Sequence, residues 1–292
     1  MSFSFCDFLS GWGAGVCGLL VGHPADTIKV RQQVSKNAGI LKIITSSIKH
    51  EGALSLYKGM SFPLLCAGTQ NAIFFGVYGN TLRVLQSNSK EDSVLRASHG
   101  EKTPSQSYNF NVFIAGCIAG FVQCFSGCPV DLIKIKLQTK PGVPHVHEVM
   151  NAVRRIRGDS GWKGFYQGFH CMLWRDVLSY GLYTLIYTHF VQSGTPHREV
   201  STILLAGGLA GTISWISIIP LDVVKSRLQS DNPRRPLYSG MKDCIIKSYK
   251  DCGIAVFGRG FWMISLRAFP VNAATFMGYE WCMNMCHRAT QK

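Results

Sequence analysis

One charged pattern recurs three times along the chain. Each copy places a proline, an acid, a base, a second base and a glutamine at offsets 0, +2, +5, +7 and +9. The copies begin at Pro24, Pro129 and Pro220. Three occurrences of so specific a pattern indicate a protein built from three similar units.

The first acid and base of each copy could form ion pairs in two ways. About one turn apart, they could pair within their own helix, which stabilises a helix by only about 0.2–0.5 kcal/mol. Alternatively, the proline bends each helix, so that three bent helices converge and each acid meets a base of another copy. The predicted pairs are then Asp26 with Lys134, Asp131 with Lys225, and Asp222 with Lys29. Charges inside a membrane are costly unless they are paired, so the three pairs would resist separation. A ring of such pairs would hold the helices together and close a passage between them.

A second set of residues follows the glycine-rich turn of each unit. Seven residues after the closing glycine, two helical turns into the next helix, the equivalent positions are Cys66, Arg175 and Arg267. Arg175 is followed by Asp176. Two arginines and one acid suit a ligand of both signs, because Arg267 can bind a carboxylate through two parallel N–H bonds and Asp176 can attract a cationic nitrogen. The alternative is a structural pair, either Arg175 with Asp176 or Arg267 with Glu280, although adjacent helical residues do not readily face each other.

Three further equivalent positions lie five residues before each motif proline. They hold Leu19, Cys124 and Trp215. We expect Trp215 to face the cavity above the charged ring and to hold an alkylated or quaternary ammonium by cation–π attraction. The alternative is packing or anchoring at a membrane interface, where tryptophan is common.

Helices must position all of these residues. Each unit has an apolar stretch leading to the motif proline, an amphipathic segment suited to a membrane interface, a glycine-rich turn and a second apolar helix. The second helices are predicted over 63–85, 171–191 and 262–285. About 20 residues suffice to cross the hydrocarbon core. We therefore predict an all-α membrane protein with six transmembrane helices in three pseudosymmetric two-helix repeats and short interfacial helices.

The predicted repeats span residues 1–90, 108–192 and 200–292. Hydrophilic loops are predicted over 91–107 and 193–199. The first helix of each repeat carries GxxxG spacing, which lets another helix backbone approach closely in lipid. These glycine pairs are Gly11/Gly15, Gly116/Gly120 and Gly207/Gly211.

The composition of the 292 residues also favours a membrane protein, with 47% apolar and only 16% charged residues. The formal charge is +14, but the bases lie at the ends of apolar stretches. That distribution fits membrane orientation and anionic lipid, and we expect no nucleic-acid partner. The 11 cysteines show no metal-ligand spacing. We expect no metal, no cofactor, no catalytic residue and no enzyme activity.

These motifs closely resemble the signature of the mitochondrial carrier family, solute carrier family 25, over essentially the whole chain. The surrounding residues look most like the amino-acid and carnitine-like subgroup containing members 45, 47 and 48, and the stretch 267–275 points most towards member 45. The resemblance implies that the charged ring is a gate on the matrix side and that Cys66, Arg175 and Arg267 contact substrate. It also implies hydrogen-bonding braces at the motif glutamines, which are Gln33, Gln138 and Gln229.

The resemblance implies a weak gate on the opposite side. Family members usually carry an aromatic residue, an acid and a base near the end of each even helix. This chain keeps Tyr78, Tyr187 and Tyr279 but only one acid, Glu280. We expect the empty carrier to return more easily than a strict exchanger does.

The sequence thus predicts a carrier of the mitochondrial inner membrane that moves an amino-acid-like zwitterion or cation by alternating access. Basic or N-methylated amino acids and carnitine-type betaines fit this description. The alternatives are a proton-leak or uncoupling carrier and a non-transporting membrane scaffold. The expected partners are a small-molecule substrate and the lipid bilayer, with cardiolipin as a candidate lipid, and we expect a monomer.

Overall fold

The structure, a computed structural model, describes the backbone of residues 5–35, 39–97, 105–140, 142, 147–193, 209 and 211–290, with most of their side chains. These residues form α-helices and short 3₁₀ turns without any strand. A further helical stretch covers residues 211–217. The helices are α1 Phe5–Val34, α2 Ile40–Glu51, α3 Ser61–Ala97, α4 Ser105–Gln138, α5 Glu148–Ser160, α6 Phe169–Ser193, α7 Ile219–Ser230, α8 Met241–Cys252 and α9 Phe261–Thr290.

Each repeat contains a short amphipathic helix followed by a 3₁₀ turn. The helices α2, α5 and α8 bury residues four apart, which is one face of a helix. Those buried pairs are Ile43/Ser47, Ala152/Ile156 and Cys244/Ser248. The 3₁₀ turns cover Ala53–Tyr57, Gly161–Tyr166 and Ile254–Gly258.

The motif prolines do not all lie inside a continuous helix. Pro24 and Pro129 are within α1 and α4, whereas Pro220 is the second residue of α7. A turn at Ile218 precedes it, where the Ile218 amide donates to the Trp215 carbonyl at 3.3 Å. Proline suits the first turn of a helix, because its missing N–H would have no partner there.

The predicted loop between the first two repeats is largely helical in the described residues. The backbone of α3 remains helical to Ala97, and α4 begins at Ser105. Residues 86–97 contain neither glycine nor proline, so nothing in that stretch breaks the helix. The breakers Gly100 and Pro104 come later and lie outside the described residues. The other predicted loop lies outside them too, except for Ser193, which ends α6.

The helices form two compact units, one of residues 1–68, 128–171 and 219–292 and the other of 69–127 and 172–218. The first unit contains two apolar clusters between motif helices and amphipathic helices. One comprises Leu132, Ile133, Leu137, Ala152, Ile156 and Phe165. The other comprises Cys171, Val224, Leu228 and Cys244. These clusters fix the ends of α4 and α7 against α5 and α8.

Glycines allow close helix packing, but only in part at the predicted pairs. In the second unit, Cβ atoms at Gly116 and Gly120 would lie 2.3 Å from Thr184 Oγ1 and 2.9 Å from Tyr180. In the first unit, α1 approaches α9 through glycines outside the GxxxG pattern. A Cβ at Gly18 would lie 2.3 Å from Thr275 Oγ1. The predicted Gly15 and Gly211 have no such neighbour within 4 Å.

Three described segments are long and apolar enough to cross a membrane by themselves. They are Ala53–Ser87, Tyr108–Gln138 and Ile254–Thr275.

Candidate functional site

Three ion pairs join the motif helices. Lys134 Nζ lies 2.8 Å from Asp26 Oδ2, and Lys29 Nζ lies 2.8 Å from Asp222 Oδ2. Lys225 pairs with Asp131. In each pair the acid belongs to one motif copy and the base to another, as in the second of the two arrangements that the sequence allows.

Most of these charges are buried. Asp26, Lys29, Asp222 and Lys225 are all below 10% exposed, and only the Asp131 side chain reaches 32%. Removing one partner of a buried pair costs about 3–5 kcal/mol, because the other charge is left uncompensated. The ring can therefore hold the ends of α1, α4 and α7 together.

The second base of each motif forms another set of contacts between repeats. Arg31 Nε donates to the Gln138 carbonyl at 3.0 Å. Lys136 Nζ donates to the Asp231 carbonyl at 3.0 Å, and Arg227 Nε to the Gln33 carbonyl at 2.9 Å. Carbonyls at a helix C-terminus have no partner within the helix, and cations are favourable there. The recurring base at offset +7 is a sequence signal for these contacts. Its partners are backbone carbonyls of another repeat, which the sequence pattern does not identify.

The three motif glutamines have different partners. Gln33 Nε2 donates to Asp222 Oδ2 at 2.8 Å, and Gln33 Oε1 accepts from Ser226 at 2.7 Å. Gln138 donates instead to Thr27 Oγ1 at 3.0 Å. Gln229 Nε2 lies 3.8 Å from the sulfur of Cys128. Within the described side chains, only Gln33 therefore bonds to the charged ring, which differs from the three equivalent braces expected.

The glutamines instead share a contact with the closing glycines of the turns. Gly59, Gly168 and Gly260 have φ angles of +79°, +77° and +95°, a region that favours glycine. A Cβ at Gly59 would lie 3.7 Å from Gln138, and one at Gly168 would lie 3.1 Å from Gln229. One at Gly260 would lie 3.0 Å from Gln33 Nε2. Each turn therefore rests against the motif helix of another repeat.

The acid before the first turn has a defined partner in repeat one. Both oxygens of Glu51 accept from the Arg31 guanidinium, at 3.1 and 2.8 Å. In repeat three the corresponding residue is Cys252, and Arg227 donates to Ser248 at 2.8 Å. The turn base Lys58 reaches across to Glu148 of α5 at 3.1 Å. These contacts brace the ring from the side of the amphipathic helices.

Arg267 joins the predicted substrate positions to the charged ring. Its guanidinium bonds Asp26 Oδ1, while Lys134 bonds the other oxygen of the same carboxylate. A structural pair of Arg267 with Glu280 is the alternative that the sequence allows. The side chains of Glu280 and Tyr279 lie outside the described residues, so Asp26 is the partner the structure describes.

Arg175, Asp176 and Trp215 lie together in the second unit. Arg175 Nη2 is 2.5 Å from Asp176 Oδ1, and its guanidinium carbon is 5.6 Å from the centre of the Trp215 ring. The Cys124 thiol is 3.6 Å from Asp176 Oδ2. The two charged residues are each 7% exposed. The long arginine side chain curls back to its neighbour, because a buried charge without a partner is more costly than that bend. The expectation that adjacent residues would not face each other did not allow for this.

The remaining predicted residues have these places. Cys66 is half-buried near the start of α3. Tyr78 stacks on Phe74 with 6.0 Å between ring centres, and Tyr187 stacks on Tyr183 at 6.1 Å. The two tyrosines therefore lie in aromatic surroundings.

Three repeated helical units with ionisable side chains paired between their motif helices define a pseudosymmetric membrane protein. A family model described as "Mitochondrial carrier protein" matches residues 2–89, 105–195 and 196–290. The chain belongs to the mitochondrial carrier family, whose members are transporters and not enzymes, and it has the family's six transmembrane helices in three two-helix repeats.

Several relatives match almost the full chain. "Solute carrier family 25 member 45" of Mus musculus is 38% identical over 291 residues, covering 96% of this chain and 98% of the relative. The "Mitochondrial basic amino acids transporter" of Homo sapiens is 42% identical over 282 residues, covering 92% and 87%. "Solute carrier family 25 member 48" of Homo sapiens is 37% identical over 302 residues, covering 96% and 94%. The chain is therefore a mitochondrial solute carrier.

Proposed function

We propose that this carrier moves an amino-acid-like zwitterion or cation across the mitochondrial inner membrane by alternating access. In this proposal the ring of three ion pairs is the matrix gate, and Arg267 binds the substrate carboxylate. Basic amino acids, their N-methylated forms and carnitine-type betaines are the substrate class. The protein works as a monomer in the bilayer, in contact with lipids such as cardiolipin.

The contact between Arg267 and Asp26 carries this proposal. A substrate carboxylate has the same chemistry as the Asp26 side chain, so it can replace Asp26 on the guanidinium with two parallel bonds. Asp26 then keeps Lys134 but loses a cation, and the ring is weakened at one of its three pairs. A ligand shifts a conformational equilibrium only by its differential affinity for the two states. Competition for Arg267 supplies such a difference, because the carboxylate binds best when Asp26 has been released.

The cationic end of the substrate has a second group of contacts in this proposal. Asp176 and the face of Trp215 are both occupied by Arg175. A substrate ammonium can replace Arg175 on either, by charge pairing with Asp176 or by cation–π attraction to Trp215. The similarity to the "Mitochondrial basic amino acids transporter" of Homo sapiens, at 42% identity, supports a cationic amino acid as substrate. Cys66 is the neutral member of the three equivalent contact positions.

Uptake into liposomes tests the substrate and Arg267 together. Purified protein is reconstituted and supplied with radiolabelled lysine, arginine, carnitine or a neutral amino acid. Uptake of a cationic or zwitterionic compound by the unmodified chain, and its loss in Arg267→Ala, is the expected result. Arg235→Ala is the matched control, because Arg235 is exposed in the turn after α7. Normal uptake by Arg267→Ala would refute the carboxylate assignment.

The same liposomes separate transport from a proton leak. A leak carrier needs only titratable groups in a cavity, so it would dissipate an imposed potential without any substrate. We expect no proton conductance above that of empty liposomes. We also expect some uptake into liposomes that contain no counter-substrate, because the outer gate keeps only its tyrosines and Glu280. Strict dependence on an internal substrate would contradict that weak outer gate.

A further inference from the structure

A basic cavity of about 670 Å³ lies in the first compact unit, at the motif ends of the helices. It is bounded by the last turn of α4, by α5, by Val34 at the end of α1 and by the turn after α7. Its ionisable lining is four bases and two acids, Lys136, Lys140, Arg155, Arg234, Asp159 and Asp231. A smaller adjoining cavity of about 430 Å³ adds Arg154. Cavities of this size are typical of small-molecule sites.

Both acids of this basic cavity already have partners. Asp159 accepts from Arg234 at 2.6 Å. Asp231 accepts from the backbone amides of Leu237 and Tyr238, at 2.8 and 3.1 Å, which closes the turn after α7. Both carboxylates are therefore already bonded, and both also attract Lys136.

Two of the bases are not engaged. The side chains of Lys140 and Arg155 form no ion pair or hydrogen bond within the described part of the chain. Lys140 follows the end of α4 and is partly buried. Burial and repulsion from Arg155 and Lys58, opposed in part by attraction to Glu148, lower the pKa of Lys140. An anion between Lys140 and Arg155 would compensate the partly buried charge of Lys140 and offset the repulsion between the two cations.

We propose that this basic cavity binds a phosphate-bearing anion. The planar fork of Arg155 fits two oxygens of a phosphate, while Lys140 and Lys136 act as point charges. A phosphomonoester carries about 1.5–2 negative charges at neutral pH, which matches the two unengaged cations. The same phosphate chemistry could come from a soluble matrix metabolite or from a lipid headgroup.

The bound anion would hold two repeats together. Lys140 and Arg155 belong to repeat two, whereas Arg234 belongs to the turn after α7 in repeat three. The Lys225–Asp131 ion pair joins the same two repeats. An anion in the cavity is therefore expected to favour the closed ring and to slow transport. This consequence rests on the proposed function of the ring as the matrix gate, whereas the binding itself does not.

Binding is tested on the purified full chain by thermal unfolding in detergent with increasing orthophosphate or pyrophosphate. We expect a saturable rise in Tm with pyrophosphate. The double variant Lys140→Gln and Arg155→Gln should bind at least tenfold more weakly. The matched control, Lys49→Gln with Lys250→Gln, removes the same charge from exposed positions on α2 and α8. An equal Tm rise in all three proteins would overturn the proposal. No Tm rise in any of them, combined with no stabilisation by phosphatidic acid, would overturn it as well.

The lipid source is tested with phosphatidylcholine vesicles prepared with or without phosphatidic acid. Stabilisation by phosphatidic acid that the Lys140/Arg155 double variant loses, without an effect of soluble pyrophosphate, would assign the site to a lipid headgroup. If neither pyrophosphate nor phosphatidic acid stabilises the protein, the cavity does not bind a phosphate-bearing anion. Reconstituted uptake then tests the consequence for transport: binding without slower uptake would refute the link to the gate. Failure of every substrate to enter the liposomes would instead count against the proposed function and leave the binding result standing.

Discussion

Asp26 is the residue at which the charged ring and the proposed substrate site can be tested together. It is 9% exposed and accepts from Lys134 on one oxygen and from Arg267 on the other. If both cations compensate this buried carboxylate, the cation that remains after loss of one should still compensate it in part. Loss of both cations should then cost more than the sum of the two single losses. We therefore predict that Lys134→Met and Arg267→Met are coupled in their effect on stability.

The expected magnitudes follow from the partners of Asp26. Each single variant removes a hydrogen bond to a charged group and should cost about 1.5–3 kcal/mol. The double variant leaves the carboxylate without either cation, and residues in one ion-pair network show coupling of about 0.5–3 kcal/mol. We expect the double loss to exceed the sum of the single losses by about 1 kcal/mol or more. For a chain of this size that corresponds to roughly 2 °C or more in Tm.

Thermal unfolding in one detergent is measured for the unmodified chain, the two single variants and the double variant. Asp26→Asn in the double-variant background is the matched control. It removes the uncompensated charge and keeps the shape, so it should recover most of the excess loss. Strictly additive single losses, or an Arg267→Met protein as stable as the unmodified chain, would refute the shared-carboxylate reasoning.

Two further predictions concern the turns and the second compact unit. Gly260→Ala should lower Tm, because a residue with a Cβ costs about 1–2 kcal/mol at positive φ and the new Cβ would lie 3.0 Å from both Gln33 and Lys29. The control Gly258→Ala should leave Tm nearly unchanged, because a Cβ there has no neighbour within 4 Å. An equal drop in Tm in both variants would contradict the contact. Asp176→Asn should reduce uptake of cationic substrates more than that of neutral ones, measured by competition in liposomes, and equal reductions would make Asp176 purely structural.

The pairing of the ring was predictable because it follows from repetition. Three copies of one pattern, each with an acid and a base, leave few arrangements once bent helices converge. Burial removes the alternative within one helix, since an i, i+3 pair would leave the charges of neighbouring helices uncompensated. The same logic applies to the amphipathic helices, whose buried faces recur in α2, α5 and α8 at equivalent positions.

The contacts that sequence could not predict are those that break the symmetry. The three motif glutamines are equivalent in sequence, yet Gln33 bonds Asp222, Gln138 bonds Thr27 and Gln229 lies beside Cys128. Their partners depend on neighbouring side chains that differ between repeats. The closing glycines keep the common feature, because contact with a turn backbone requires only space and not a particular partner.

The proposed coupling between substrate and gate depends on the same loss of symmetry. Of the three equivalent positions, Cys66 brings no charge, and Arg175 pairs with its neighbour Asp176. Arg267 bonds a ring acid, Asp26. A substrate carboxylate that binds Arg267 would therefore act first on the Asp26–Lys134 pair, between repeats one and two, and not equally on all three pairs. Opening of the ring is then expected to begin between α1 and α4, while the Lys225–Asp131 pair, which joins the same two repeats as the basic cavity, separates later.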